Sequence, residues 1–179
     1  MGGYVRRAAL AGALAVLTAA GCGGGAGTGR PCTAAGSLTG VGVHLEEALA
    51  KRADSATVRV CWDGACHDRA VELTDDTTAA PASECDGRAP ADAACAATAV
   101  PTGAKRGFAE VGGLPKRPVE VTVVARDRGG KVVLDERIQV TPRAVYANGE
   151  ECGETGVQAQ LSAAPGRLTE RPAATPGPS

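Results

Sequence analysis

Thr57 to Leu73 constrains the fold more tightly than any other stretch of the chain. Val58, Val60 and Trp62 alternate with Thr57, Arg59 and Cys61, and Asp63-Gly64 follows. Alternation of this kind marks a half-buried strand, and Asp-Gly is the strongest two-residue hairpin signal. With Asp63-Gly64 as the loop, Trp62 faces Ala65 and Cys61 faces Cys66. That Cys pair occupies the non-hydrogen-bonded site where side chains approach closest, a spacing that suits a cross-strand disulfide. The same register sets Arg59 against Asp68 and puts Val58, Val60, Trp62, Val71 and Leu73 on one face. His67 and Arg69 fall on that face too, as peripheral positions whose polar tips reach water.

The remaining cysteines set the compartment. There are seven, at 22, 32, 61, 66, 85, 95 and 152. An odd number in an exported chain needs a reason. Arg6 and Arg7 precede the uncharged apolar run Ala8 to Ala20, and Gly21-Cys22 follows. This is the layout of a secretory signal, too short to span a bilayer permanently. Arg6-Arg7 lacks the flanking residues of a twin-arginine export signal. Leu17-Thr18-Ala19-Ala20-Gly21-Cys22 resembles the lipobox of bacterial lipoproteins, with Ala19 where that family usually has Leu. The resemblance implies cleavage after residue 21, a diacylglyceryl group on Cys22 and a membrane as partner, and two acyl chains anchor stably. The competing reading is an ordinary signal peptide that leaves a soluble secreted protein. Acylation of Cys22 leaves six cysteines to pair. Cys85 and Cys95 close a local loop, and elimination leaves Cys32 with Cys152.

Residues 1–21 thus read as a lipoprotein signal helix, 22–31 as a Gly-rich flexible tether, and 32–164 as one disulfide-stapled domain. Val41, Val43 and Leu45 alternate as a short strand. Residues 46–53, with Glu47 and Lys51 four apart, fit a turn of helix or a crossing loop equally. Residues 74–106 are weakly periodic and rich in Ala, Asp, Pro and Thr. They read as a long loop with a short edge strand at Ala97–Val100, a decorated surface segment or else a recognition element. Phe108 to Val111 is a short strand, and Leu114-Pro115 a corner. Val119, Val121, Val123 and Ala125 pair through a turn at 127–130 with Val132, Leu134, Ile138 and Val140. Pro142 ends that strand, where the chain steps to another sheet. Asn148-Gly149 is a turn, and Thr155 to Ser162 a last strand. Residues 165–179 read as a disordered tail.

With aromatics at 2% of the chain, the core must be built from Val, Leu, Ala and Ile. A core so thin needs staples. The expected fold is all-β, an antiparallel two-sheet sandwich of about seven to eight strands. Its disposition, with Leu114-Pro115 before Val119-x-Val121-x-Val123, resembles immunoglobulin-like and fibronectin type III domains, without the usual corner Tyr. Cys61-Trp62-Asp63-Gly64-Ala65-Cys66 and Asn148-Gly149-Glu150-Glu151-Cys152-Gly153 are similar to features of actinobacterial-type lipobox proteins of uncharacterised activity. That likeness implies a location and a fold, not a chemistry.

The chemistry-bearing residues give no catalytic set. Ser37, Ser55, Ser83, Ser162 and Ser179 stand in no nucleophile motif. Glu46-Glu47, Asp75-Asp76 and Glu150-Glu151 read as solvated charges, and the Gly-rich stretches lack the strand-to-helix setting of a phosphate loop. His44 and His67 read as lying on different strands, near no acidic cluster, so no metal site or other cofactor is expected. A net charge of −1 implies no basic face for nucleic acid. The expectation is a non-enzymatic binding or interaction module held at the outer face of the cytoplasmic membrane. It meets an envelope protein or polymer there, or serves as a structural accessory subunit. A deep pocket around His67, Arg69 and Glu72 is what an enzyme would require.

Overall fold

A computed structural model describes residues 32–81 and 97–171, all within one unit. Cys22, the signal, the tether, Cys85 and Cys95 lie outside the described residues. Ten strands are described: β1 (Gly40–Leu45), β2 (Ser55–Trp62), β3 (Ala65–Val71), β4 (Thr74–Pro81), β5 (Ala97–Glu110), β6 (Val119–Arg126), β7 (Val132–Val140), β8 (Arg143–Val145), β9 (Gly156–Ala164) and β10 (Arg167–Glu170). One helical turn, α1 (Glu47–Ala50), follows β1 and buries Leu49 and Ala50. Its exposed side carries the Lys51–Glu47 ion pair at 2.7 Å.

The strands form two sheets. The six-stranded sheet runs β10-β9-β1-β5-β4, with β8 also on β9, and the four-stranded sheet runs β3-β2-β6-β7. Their inner faces share one core. Val41, Val43, Leu45 and Leu161 come from the first sheet, and Val58, Val60, Val121 and Val123 from the second. Each alternates with outward neighbours, as a sheet with one wet face requires. The fold is therefore a mostly antiparallel β-sandwich. One pair departs from the antiparallel expectation, since β1 runs parallel to β9 from Gly40↔Gln158 to Leu45↔Ala163.

The first hairpin has the register read from the sequence: Cys61↔Cys66, Arg59↔Asp68 and Trp62↔Ala65. Asp63 and Gly64 both take positive φ, 51° and 77°, which a two-residue turn of this kind demands. Cys61–Cys66 and Cys32–Cys152 are both disulfides, with Cα separations of 4.1 and 5.6 Å. Beside the second bridge, Asn148 Nδ2 donates to the carbonyls of Thr33 (3.1 Å) and Ala35 (2.8 Å). The Asn-Gly-x-x-Cys-Gly segment is thus a clamp on the chain's entry into the domain. After Pro142 the chain does cross sheets, β7 lying in one and β8 in the other.

Two expectations need correction. Within residues 74–106 the described parts are not loop: β4 and β5 pair antiparallel, and β5 joins the expected strand at 97–100 to the one beginning at Phe108. Residues 97–103 are exposed throughout. An arm wetted on both faces carries no alternation, so periodicity could not reveal it. The start of the expected tail forms β10, which pairs with β9 from Arg167↔Ala164. Pro165 and Gly166 (φ 68°) form the turn. Proline pre-sets the first corner, and glycine accepts the left-handed second one.

Candidate functional site

The outer face of the six-stranded sheet is unusual at its centre. β1 has β9 on one side and β5 on the other. Its outward positions are Gly40, Gly42 and His44, since Val41, Val43 and Leu45 point into the core. The registers place Glu110, Phe108 and Arg106 beside them on β5, and Gln158, Gln160 and Ser162 on β9. Neighbouring side chains lie across the glycines. A Cβ on Gly40 would come within 2.9 Å of the Phe108 ring, and one on Gly42 would overlap the Gln160 amide. That amide makes a hydrogen bond in turn, its Nε2 donating to Gln158 Oε1 at 2.9 Å.

The third outward position meets an acid from the arm. Asp75 pairs with Lys105 and Thr77 with Pro101, so Asp76 sits in a bulge opposite residues 102–104. Thr102 Oγ1 donates to the Asp76 carbonyl at 3.1 Å. Gly103, in this bulge, takes φ 79°. Bulges of this kind re-aim side chains. Asp76 Oδ2 lies 3.4 Å from His44 Nε2, and its Oδ1 lies 3.5 Å from Arg106 Nη1. His44 and Asp76 are largely covered, at 22% and 21% side-chain exposure, whereas Arg106 is open at 62%. His44 Nδ1 is shut from solvent and has no hydrogen-bond partner. The whole forms an open cleft of about 650 Å³ over β4, β5, β1 and β9, with Glu72 and Arg171 at its rim.

Beside His44 and Asp76 the cleft also holds the Thr74 hydroxyl, which donates to the Arg106 carbonyl at 3.3 Å. Ser162, the β9 neighbour of His44, turns its hydroxyl to Glu46 Oε1 at 3.1 Å. The arrangement gathers donors, acceptors and one aromatic ring in one cleft.

A second cleft of about 690 Å³ lies where α1 meets the turn at residues 127–130, among Lys51, Arg52, Lys105, Arg128 and Lys131. Its groups are used in local structure. Lys105 Nζ donates to the Ala53 carbonyl at 2.8 Å, Arg128 lies 3.6 Å from Asp54, and Asp127 Oδ1 accepts from the backbone N–H groups of Gly129 and Lys131. A net charge near zero concealed this local basic cluster.

The residues singled out from sequence fare unevenly. His67, Arg69 and Glu72 do not converge on a deep pocket. His67 stacks on Trp62 with centroids 4.4 Å apart, and Arg69 Nε donates to the Glu110 carbonyl at 2.9 Å. Only Glu72 reaches the cleft. His44 was read as remote from acids, and the structure corrects this through Asp76. Asp76 and Arg106 were missed because both fell in the segment read as a loop. Gly40-x-Gly42-x-His44 was the available signal, since glycine inside a strand often marks a close approach. At the hairpin tip the Arg117 guanidinium donates to Asp63 at 2.8 Å and holds that carboxyl below its usual range. Arg59 does the same to Asp68.

Among the described residues no three or more of His, Cys, Asp and Glu are grouped to hold a metal ion. None of the described helices is long and apolar enough to cross a membrane. These features define a disulfide-braced β-sandwich with a polar cleft on one sheet. No protein-family model, curated protein or solved structure matches the chain.

Proposed function

We propose that this chain is an exported lipoprotein whose immunoglobulin-like sandwich is a binding module, not an enzyme, held by acylated Cys22 at the outer face of the cytoplasmic membrane. The observation that carries the reading is the Cys32–Cys152 bridge, which fastens the segment arriving from the tether to the body of the domain. Such bridges persist in oxidising compartments. The immunoglobulin-like reading draws support from β1 lying beside β9 and from the crossing at Pro142. The binding reading draws support from the cleft around Asp76, which presents carboxylate, guanidinium, amide and hydroxyl groups side by side.

Mass analysis of the full chain recovered from a bacterial membrane fraction tests the reading. The expected product begins at Cys22, carries acyl chains and has its other six cysteines oxidised. Cys22→Ala should move the protein out of the membrane fraction. An uncut, unmodified chain with free thiols would overturn the proposal. A second reading, a structural accessory subunit, is favoured by the β4–β5 arm, where Val100 is 41% exposed and offers an apolar contact to another chain.

A further inference from the structure

We infer that the cleft on the six-stranded sheet binds a neutral polysaccharide chain laid across β9, β1, β5 and β4. The inference deepens the binding-module reading of that same face.

Its first support is what the face costs. Gly40 and Gly42 occupy consecutive outward positions of the central strand, where glycine gives up side-chain packing and weakens the strand. The enclosed His44 Nδ1 without a partner adds to that cost. Local rules broken together at one place are expected at a functional site. What the glycines provide is room for their neighbours, with Phe108 resting against Gly40 and the Gln160 amide lying over Gly42.

Its second support is charge and shape. Arg106 and Arg171 are balanced by Asp76 and Glu72 within the same cleft. A strongly charged ligand would leave one sign unanswered. Hydroxyl groups both donate and accept, so they can pair with carboxylate, guanidinium and amide in turn. Phe108, the chain's single Phe, lines the cleft half-buried and gives it an aromatic group against which the C–H groups of a sugar can pack. Small-molecule pockets enclose most of their ligand, but this cleft is open and crosses four strands, ~14 Å at the usual strand spacing. That suits several linked rings better than one. A protein partner would look for exposed apolar anchors. Among the described residues the exposed large hydrophobics, Leu38, Val100, Val132 and Tyr146, all lie outside the cleft.

The test is affinity electrophoresis of the full chain in detergent, in native gels cast with xylan, glucomannan or arabinogalactan, and with dextran sulfate as the polyanion. At least one neutral polymer should retard the protein. Phe108→Ala, Asp76→Ala and Arg171→Ala should each raise the polymer concentration for half-retardation at least tenfold. Lys131→Ala, in the other cleft, should leave it unchanged. Should Phe108→Ala fail to fold, judged by its thermal melt, Arg171→Ala, at an exposed position, and Asp76→Ala decide the matter. Retardation by none of the neutral polymers, by dextran sulfate alone, or equally by the three cleft variants overturns the inference. None of those outcomes alters the mass of the acylated chain, so failure here and failure of the anchor reading are separable.

Discussion

Replacing the two disulfides separately should have very unequal effects on stability. Cys32–Cys152 joins residues 120 apart in sequence, and Cys61–Cys66 joins residues 5 apart. In the chain-entropy picture a cross-link stabilises by restricting the unfolded chain, with a cost that grows as the logarithm of loop length. The long bridge then contributes ~5 kcal/mol and the short one ~2 kcal/mol. The difference of ~3 kcal/mol is a little over two powers of ten in the folding equilibrium. The native state changes little in either case. Asn148 still holds Thr33 and Ala35 when Cys32 is released, and the ladder of β2 with β3 persists without Cys61–Cys66. Urea unfolding of Cys32→Ser/Cys152→Ser and Cys61→Ser/Cys66→Ser, without reductant, measures both. The first variant should lose by far the more stability and show the larger m value, because its unfolded chain expands. Equal losses, or a greater loss from the hairpin pair, would refute the argument that the bridges act through the unfolded state.

Other outcomes follow from the same geometry. Asp63 and Asp68 have depressed folded-state pKa values because Arg117 and Arg59 donate to them. Their contribution is present above the unfolded carboxylate value near ~4 and is lost as pH falls through the lower folded values. Arg59→Ala with Arg117→Ala should therefore flatten the acid limb of a stability–pH curve, by less in high salt, since both pairs are exposed. The two strand glycines should also differ. At Gly40 a Cβ meets the Ala109 backbone carbonyl, whereas at Gly42 it meets the movable end of Gln160. Gly40→Ala should destabilise clearly in a urea titration, and Gly42→Ala should be mild; the reverse order would contradict this account of the glycines.

Sequence reasoning succeeded wherever one face of a strand meets the core. Val58 and Val60, Val119 to Ala125, and Val157 to Leu161 alternate because half their side chains are buried. The Asp63-Gly64 turn and the Cys61–Cys66 bridge were readable for a similar reason, since local backbone geometry left few registers, whereas Cys32–Cys152 was reached by elimination. The arm and β10 escaped because Thr77 to Ala80 and residues 97–103 bury little, and pattern records burial rather than pairing. Pro165-Gly166 was a usable turn signal, outweighed by the composition around it. The cleft escaped for a different reason. His44, Asp76 and Arg106 come from three strands, and only the bulge at Asp76 brings the acid to the other two.

The parallel pairing of β1 with β9 has a mechanical consequence. A pull entering at Cys32 passes covalently to Cys152, so residues 33–39 carry little load. It then enters β9 lengthwise, and the ladder with β1 takes it up in shear, its hydrogen bonds strained together instead of peeling one after another. Reduction of that single bridge would convert a stiff attachment point into a compliant one.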